Sequence, residues 1–260
     1  MITSSSNSQV KHVAQLNARG KLRKEERLFA AEGIKLFREA PPELLEKVFV
    51  SESFEREHRD FLSRTGRSWE VVEDGVFSRM CDTRTPQGIL SLVRMPSWTW
   101  EQVTGGSKPL ILVLEDLQDP GNVGTILRTA EGAGVTGVLL SRNCVDLFHP
   151  KTIRSTMGSV YRMPCCFPED ILEAADRLRQ QGIRTFAAHL AGKRSYAGED
   201  YRGGSAFLIG NEGNGLSRQL ADRADCLVRI PMEGQVESLN AAVAAAVLMY
   251  TAHAQRHPEE

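Results

Sequence analysis

From Leu110 onward the chain alternates short apolar runs with helix-patterned segments, and this alternation restricts the fold more than any other feature. The runs at residues 110–114, 135–140, 183–188, 206–209 and 226–230 are four to six residues long. Apolar runs of that length, set between helices, mark strands buried on both faces, as in a parallel sheet covered by helices. An α/β architecture built on a parallel sheet follows. The last helical segment, residues 239–252, is nearly all Ala, Val, Leu and Met. A helix without a polar face belongs in a core or a subunit interface.

Three polar stretches stand directly after such runs. They are Asp119-Pro120-Gly121-Asn122-Val123-Gly124 leading to Arg128, Gly210-Asn211-Glu212-Gly213-Asn214-Gly215, and Ile230-Pro231-Met232 followed by Glu237-Ser238-Leu239-Asn240. Ligand crevices of α/β proteins form at the carboxyl ends of parallel strands, so the three are candidate parts of one site. Asn122 suits a helix N-cap, with Arg128 projecting near the same side, and Ser238 suits the cap of the last helix. Taken singly, Asn122 reads as a cap, Arg128 as a surface cation and the glycine loop as a tight turn. Asn240 stands among Leu239, Ala241, Ala242 and Val243, and an amide there needs partners if it is buried. The glycine spacing Gly-x-x-Gly-x-Gly is not that of dinucleotide sites, and no phosphate-binding Gly-x-x-x-x-Gly-Lys-Ser/Thr occurs. The loop instead offers backbone donors and acceptors for a flat, uncharged ring.

The first part of the chain reads as a smaller α/β domain over residues 1–95. A helix capped at Asn7 or Ser8 runs through Leu16, and a second is expected over residues 23–40, with an interruption near Gly33. Strands are expected at residues 48–50, 69–72 and 89–93, with helices over 54–64 and 75–80. Residues 96–108, with two Trp, Gly-Gly, Pro and Ser, read as a linker, and residues 109–260 as the second domain.

Charge is uneven. The whole chain carries 32 Lys/Arg against 33 Asp/Glu, yet its first 40 residues hold eight against four. A basic segment at one end of a neutral chain can neutralise phosphates. Arg19, Lys21, Arg23, Lys24 and Arg27 are therefore candidate phosphate contacts, although a solvated helix face explains the same charges. Five cysteines without a Cys-x-x-Cys pair argue against a disulfide framework or a thiolate zinc site. His253 and His257 have helical metal spacing without a third ligand, so no metal is expected. The longest apolar stretch falls far short of about 20 residues, and the first residues lack a signal-peptide pattern. A cytoplasmic protein with no membrane partner is the expectation.

Together the motifs resemble the SpoU/TrmH family of RNA 2′-O-methyltransferases, within the SPOUT superfamily. The resemblance is carried by residues 119–130, by 209–216, and by Ile230-Pro231-Met232 with residues 237–244. The stretch from Asp146 to Ser159, with Arg154, is similar to the family's substrate-side loop. Ser6-Asn7-Ser8, Glu32-Gly33 and Thr85-Pro86-Gln87-Gly88 are similar to its preceding RNA-binding domain. The resemblance implies a C-terminal trefoil knot, a homodimer, and S-adenosyl-L-methionine as methyl donor. It implies cofactor contacts at Leu190, Ala191, Gly192, Ile209, Gly210, Asn211, Gly213, Ile230, Met232, Ser238, Leu239 and Val243. Asn122, Arg128, Glu212, Ser238 and Asn240 are its implied catalytic set, and Lys11, Arg19, Lys21, Arg23, Lys24, Arg27 and Arg154 its implied RNA contacts. Large-subunit ribosomal RNA is the implied substrate; transfer RNA, or a non-catalytic RNA-binding role, is the alternative.

Overall fold

The computed structural model describes residues 1–258. Two compact units result: Met1–Pro96 with Phe148–Tyr161, and Ser97–Leu147 with the chain from Arg162 onward. In chain order the first elements are α1 (Ser8–Ala18), α2 (Gly20–Glu26), β1 (Leu28–Glu32), α3 (Ile34–Glu39), β2 (Leu45–Ser51), α4 (Glu52–Arg64), β3 (Glu70–Val72), α5 (Asp74–Met80) and β4 (Ile89–Arg94). Then follow α6 (Trp100–Thr104), β5 (Leu110–Leu114), α7 (Pro120–Gly132), β6 (Gly137–Leu140), α8 (Pro150–Thr156), β7 (Cys165–Cys166), α9 (Ile171–Gln180) and β8 (Arg184–Ala188). The chain continues with β9 (Arg194–Ser195), β10 (Ser205–Ile209), α10 (Arg218–Ala221), β11 (Cys226–Arg229) and α11 (Ala241–Arg256).

The first unit is a four-stranded sheet in the order β1-β4-β2-β3, with only β2 and β3 parallel. Phe29, Phe49, Phe77, Leu16, Met80 and Leu90 are fully buried within it. Asn7 caps α1 as expected, its side chain accepting from the Gln9 amide at 2.8 Å. The helix expected over residues 23–40 is present only at its two ends, in α2 and in α3 after Gly33, and is replaced by a strand between them. Arg27 adopts a left-handed conformation (φ 54°) that ends α2, and residues 28–32 form a strand paired antiparallel with β4. Leu, Ala and Glu favour helices in isolation, but the pairing buries Phe29 and Ala31 completely, and tertiary context overrides propensity.

Residues 148–161, read above as part of the second domain, pack in the first unit. Phe29 has the Phe148 ring at 5.0 Å and the Tyr161 ring at 6.2 Å, and α8 lies on β1. Nor is the stretch 96–108 a plain linker. It contains α6, closed by a reciprocal Thr99–Gln102 capping box, and Val103 is fully buried against the sheet of the second unit.

The second unit is a seven-stranded sheet, all parallel, in the order β7-β6-β5-β10-β8-β11-β9. Its expected apolar runs are its strands, and β5 and β10 are buried along their whole length. Sequential outward winding cannot place β10 between β5 and β8, so the strand order fits the knotted arrangement implied by the resemblance. Helix α11 packs on α7 and β10. Among the described residues no helix is long and apolar enough to cross a membrane. All five cysteines are free thiols, and Cys81 and Cys165 titrate well above the ordinary thiol range, chiefly because burial disfavours the thiolate.

Candidate active site

Parallel strands end at one edge, so the central strands set the site. The neighbours β5, β10, β8 and β11 deliver residues 115–119, 210–217, 189–192 and 230–232 to that edge, at a strand spacing of about 4.8 Å. Most residues implied above as cofactor contacts are thereby gathered side by side.

Glycines show how closely these loops approach one another. At Gly210 a Cβ would collide with the Gly215–Leu216 backbone, because the loop folds back on itself. Asn211 and Gly215 exchange both backbone hydrogen bonds there, at 3.0 and 2.9 Å. At Gly192 a Cβ would lie 2.8 Å from the Val228 carbonyl carbon, so the loop after β8 presses on the end of β11. Leu190, Val236 and Val243 are three of the large apolar side chains left exposed, at 59%, 61% and 48%. Exposed apolar groups on the loops after β8 and β11 and on the first turns of α11 are chemically suited to an uncharged heteroaromatic ring.

A hydrogen-bond chain ties the separate segments together. Glu212 Oε1 accepts from the Asn122 side-chain amide at 2.9 Å and from the Asp119 backbone at 3.2 Å; Oε2 accepts from the Gln118 backbone at 3.1 Å. Asn240 then donates from Nδ2 to Asn122 Oδ1 at 3.0 Å. Partial burial of Glu212 raises its pKa, but the hydrogen bond from Asn122 and those from the amides outweigh this, so the group titrates below the usual glutamate range. Glu212 is thus an ionised acceptor at neutral pH.

The capping roles differ from expectation. Asp119, not Asn122, caps α7, accepting from the Asn122 backbone at 2.8 Å, with Pro120 in the first turn. This frees the Asn122 side chain for Glu212. Asn240, not Ser238, caps α11, its Oδ1 accepting from Ala242 and Val243 at 2.9 and 3.3 Å, and its Nδ2 reaches Asn122. Ser238 is exposed in the preceding loop.

Arg128 is exposed on α7 and makes no ion pair or side-chain hydrogen bond among the described residues. It lies six residues beyond Asn122, which in a regular helix is about 9 Å along the axis and about 120° around it. The shared side expected for the two is therefore incorrect, and Glu212 holds the backbone before α7 at Gln118 and Asp119.

Three of the candidate RNA contacts have side-chain partners, and Lys21 has the loosest, an exposed ion pair with Glu25 at 3.7 Å one helical turn away. Arg23 is 3% exposed, and its guanidinium donates to the carbonyls of Leu16 and Asn17 at 2.5 and 2.9 Å, which removes it from any surface role. Arg154 donates to Asp82 at 2.9 Å within the first unit. Lys11, Arg19, Lys21, Lys24 and Arg27 are exposed.

Sequence reasoning passed over Glu115, Asp116, Gln118 and Ser141. Glu115 accepts from the Ser217 backbone and hydroxyl, both at 2.7 Å, and Asp116 accepts from the Ser141 hydroxyl at 2.6 Å. The available signal was two acidic residues immediately following the apolar run 110–114.

A parallel sheet with a late strand inserted at its centre, and a polar chain across the mouth, defines an α/β enzyme whose site is assembled from distant loops. A family model described as the SpoU rRNA Methylase family matches residues 109–250, and one described as an MRM3-like substrate binding domain matches residues 7–91. The chain belongs to the SpoU/TrmH family of RNA 2′-O-methyltransferases and carries the family's N-terminal substrate-binding domain. It is 33% identical over 251 residues to 23S rRNA (guanosine(2553)-2′-O)-methyltransferase RlmP of Bacillus subtilis, covering 96% of this chain and 97% of that protein. An AdoMet-bound rRNA methyltransferase from Sinorhizobium meliloti superposes with a TM-score of 0.86 at 30% identity, covering 100% and 98% of the two chains. The SpoU methyltransferase AviRb of Streptomyces viridochromogenes, in complex with AdoMet, gives a TM-score of 0.86 at 25% identity, covering 96% and 98%.

Proposed function

We propose that the protein transfers a methyl group from S-adenosylmethionine to a ribose 2′-hydroxyl in large-subunit ribosomal RNA. The observation that carries this reading is the convergence of the loops after β8, β10 and β11 beside the Glu212–Asn122–Asn240 chain. The AdoMet-bound relatives support the cofactor, and the 23S rRNA-directed relative supports the substrate.

Leu190–Gly192, Ile209–Gly213 and Ile230–Met232 would hold the cofactor through backbone and apolar contacts, with Ser238, Leu239 and Val243 closing the site. When bound, S-adenosylmethionine supplies an electrophilic methyl group, so the chain's residues mainly position the ribose and ease departure of the hydroxyl proton. Arg128 contacts the 2′-oxygen or its neighbouring phosphate. A guanidinium does not surrender its proton near neutral pH, so its contribution is electrostatic stabilisation of the developing alkoxide. Asn122 and Asn240, fixed by Glu212, hold the nucleotide and cofactor in line, and Ser238 positions the loop before α11.

Lys11, Arg19, Lys21, Lys24 and Arg27 contact RNA phosphates from the first unit. The protein acts as a homodimer, for which the exposed Tyr250 and Val243 on apolar α11 offer a surface. A ribosomal RNA substrate suits a cytoplasmic enzyme.

The test combines calorimetric titration of S-adenosylmethionine with maps of 2′-O-methylation in total RNA from cells with and without the gene. Saturable donor binding and the loss of one large-subunit mark are expected. An unchanged map, or no donor binding, overturns the assignment, and loss of a transfer-RNA mark redirects the substrate.

A further inference from the structure

The loop 210–217 contains Gly213 and Gly215, the latter at φ +70°, and by itself has wide conformational freedom. Two adjacent residues at the end of β5 hold it from outside. Glu115 is 8% exposed, and both its oxygens are taken by Ser217: Oε2 accepts from the backbone amide and Oε1 from the hydroxyl, each at 2.7 Å. Ser217 in turn caps α10, accepting from the Leu220 amide at 3.1 Å. The far end of the loop is therefore fixed.

The near end is fixed by the next residue. The carbonyl of Asp116 accepts from Asn211 Nδ2 at 2.7 Å and from Gln118 Nε2 at 2.9 Å. Among the described residues Asp116 is one of three non-glycine residues with positive φ, at 55°, a left-handed conformation that a non-glycine side chain keeps only where its surroundings hold it. Here they do. The Asp116 amide donates to Ser141 Oγ at 2.8 Å, Ser141 Oγ donates back to Asp116 Oδ1 at 2.6 Å, and Asn143 donates to Oδ2 at 3.3 Å. The end of β6 thus locks the turn after β5, and that turn locks the loop after β10. The loop begins at the paired residues Leu114 and Ile209, so both of its anchors sit directly above that pair.

We propose that Glu115 and Asp116 are positioning residues that template the cofactor loop, so that donor affinity depends on them while the methyl-transfer step does not. Neither residue is among those assigned above to contact cofactor or ribose. The inference rests on the function proposed above, and its test separates the two.

Glu115→Gln keeps the volume but turns an NH2 group toward one of the two Ser217 donors. In the protein without donor, amide hydrogen exchange of residues 211–217 should accelerate while the core strands stay unchanged. Calorimetric affinity for S-adenosylmethionine should fall about tenfold, as expected when a buried charge-assisted contact is broken. The kcat at saturating donor should stay within about twofold, the mark of lost binding instead of lost catalysis. Ser217→Ala, a milder change, should move the same readings in the same direction. Adding it to Glu115→Gln should produce little further loss, because both act through one contact.

Unchanged exchange in 211–217 refutes the templating role, and so does a fall in kcat with donor affinity intact. If the unaltered protein binds no donor, the proposed function fails. The exchange measurement, which needs no donor, still decides whether these residues hold the loop.

Discussion

Replacing Glu212 by Gln tests the polar chain at the residue where the most bonds meet. Oε1 accepts two hydrogen bonds, from Asn122 Nδ2 and the Asp119 amide, and Oε2 accepts one, from the Gln118 amide. A glutamine can present its oxygen to only one of these sides. In its better orientation it keeps Asn122 and Asp119 and turns an NH2 group on Gln118. A second loss is possible through Asn122, whose amide orientation is set by Glu212 on one side and Asn240 on the other. Because Glu212 is exposed, each bond is screened and its worth lies at the low end of the range, so the total is about 1–2 kcal/mol. That corresponds to a loss of about 5- to 30-fold in kcat/KM if the chain aligns the reacting groups.

The assay is transfer of labelled methyl to an RNA transcript, with denaturant unfolding alongside to separate misalignment from instability. The pH dependence gives a sharper check. The folded-state pKa of Glu212 is lowered, so its stabilising bonds are fully present above the unfolded value of about 4.3 and are lost as pH falls through the lowered folded value. Between about pH 6 and 9 the group stays ionised, and the profiles of the native enzyme and of Glu212→Gln should run parallel. A limb in that range that vanishes in the variant would mean that Glu212 moves a proton, and the alignment argument would be refuted.

Arg128→Ala should reduce methyl transfer by about 10²-fold or more while donor affinity changes little, measured by single-turnover assay and calorimetry; loss of donor binding contradicts the role given to the guanidinium. Arg23→Ala should destabilise the protein by about 1–3 kcal/mol in denaturant unfolding, since two carbonyls at the end of α1 lose their donor. Lys21→Ala with Lys24→Ala should instead weaken RNA binding and flatten its salt dependence at unchanged stability, and the reverse pattern would reassign the two groups. Phe29→Ala removes the ring packed against Phe148 and Tyr161 and should cost about 3–5 kcal/mol, read as a fall in the unfolding midpoint; a smaller loss would mean that residues 148–161 are not integral to the first unit.

The elements that could be read along the chain are those whose cause is local. Strands β5 and β10 are buried on both faces, so each shows as an unbroken apolar run, and the polar loops after β5, β10 and β11 could be named because a parallel strand must end in a turn toward one edge. Strand β1 could not be read, because Leu28, Ala30, Ala31 and Glu32 are good helix formers and become a strand only against β4, far along the chain. The membership of residues 148–161 was hidden for the same reason: Phe148 and Tyr161 are ordinary core aromatics until Phe29 is known to pack against both.

Within the site, the choice between neighbouring caps was likewise non-local. Ser238 and Asn240 are both good caps in isolation, but only Asn240 can cap with its oxygen and still donate a hydrogen bond to Asn122. Asp119 and Asn122 divide their work by the same logic. Asp119 accepts the backbone bond at the helix start, and Asn122, with both a donor and an acceptor, links Glu212 to Asn240. An aspartate at 122 could accept from Asn240 but would set a second carboxylate against Glu212, so the chain of bonds requires an amide at that position.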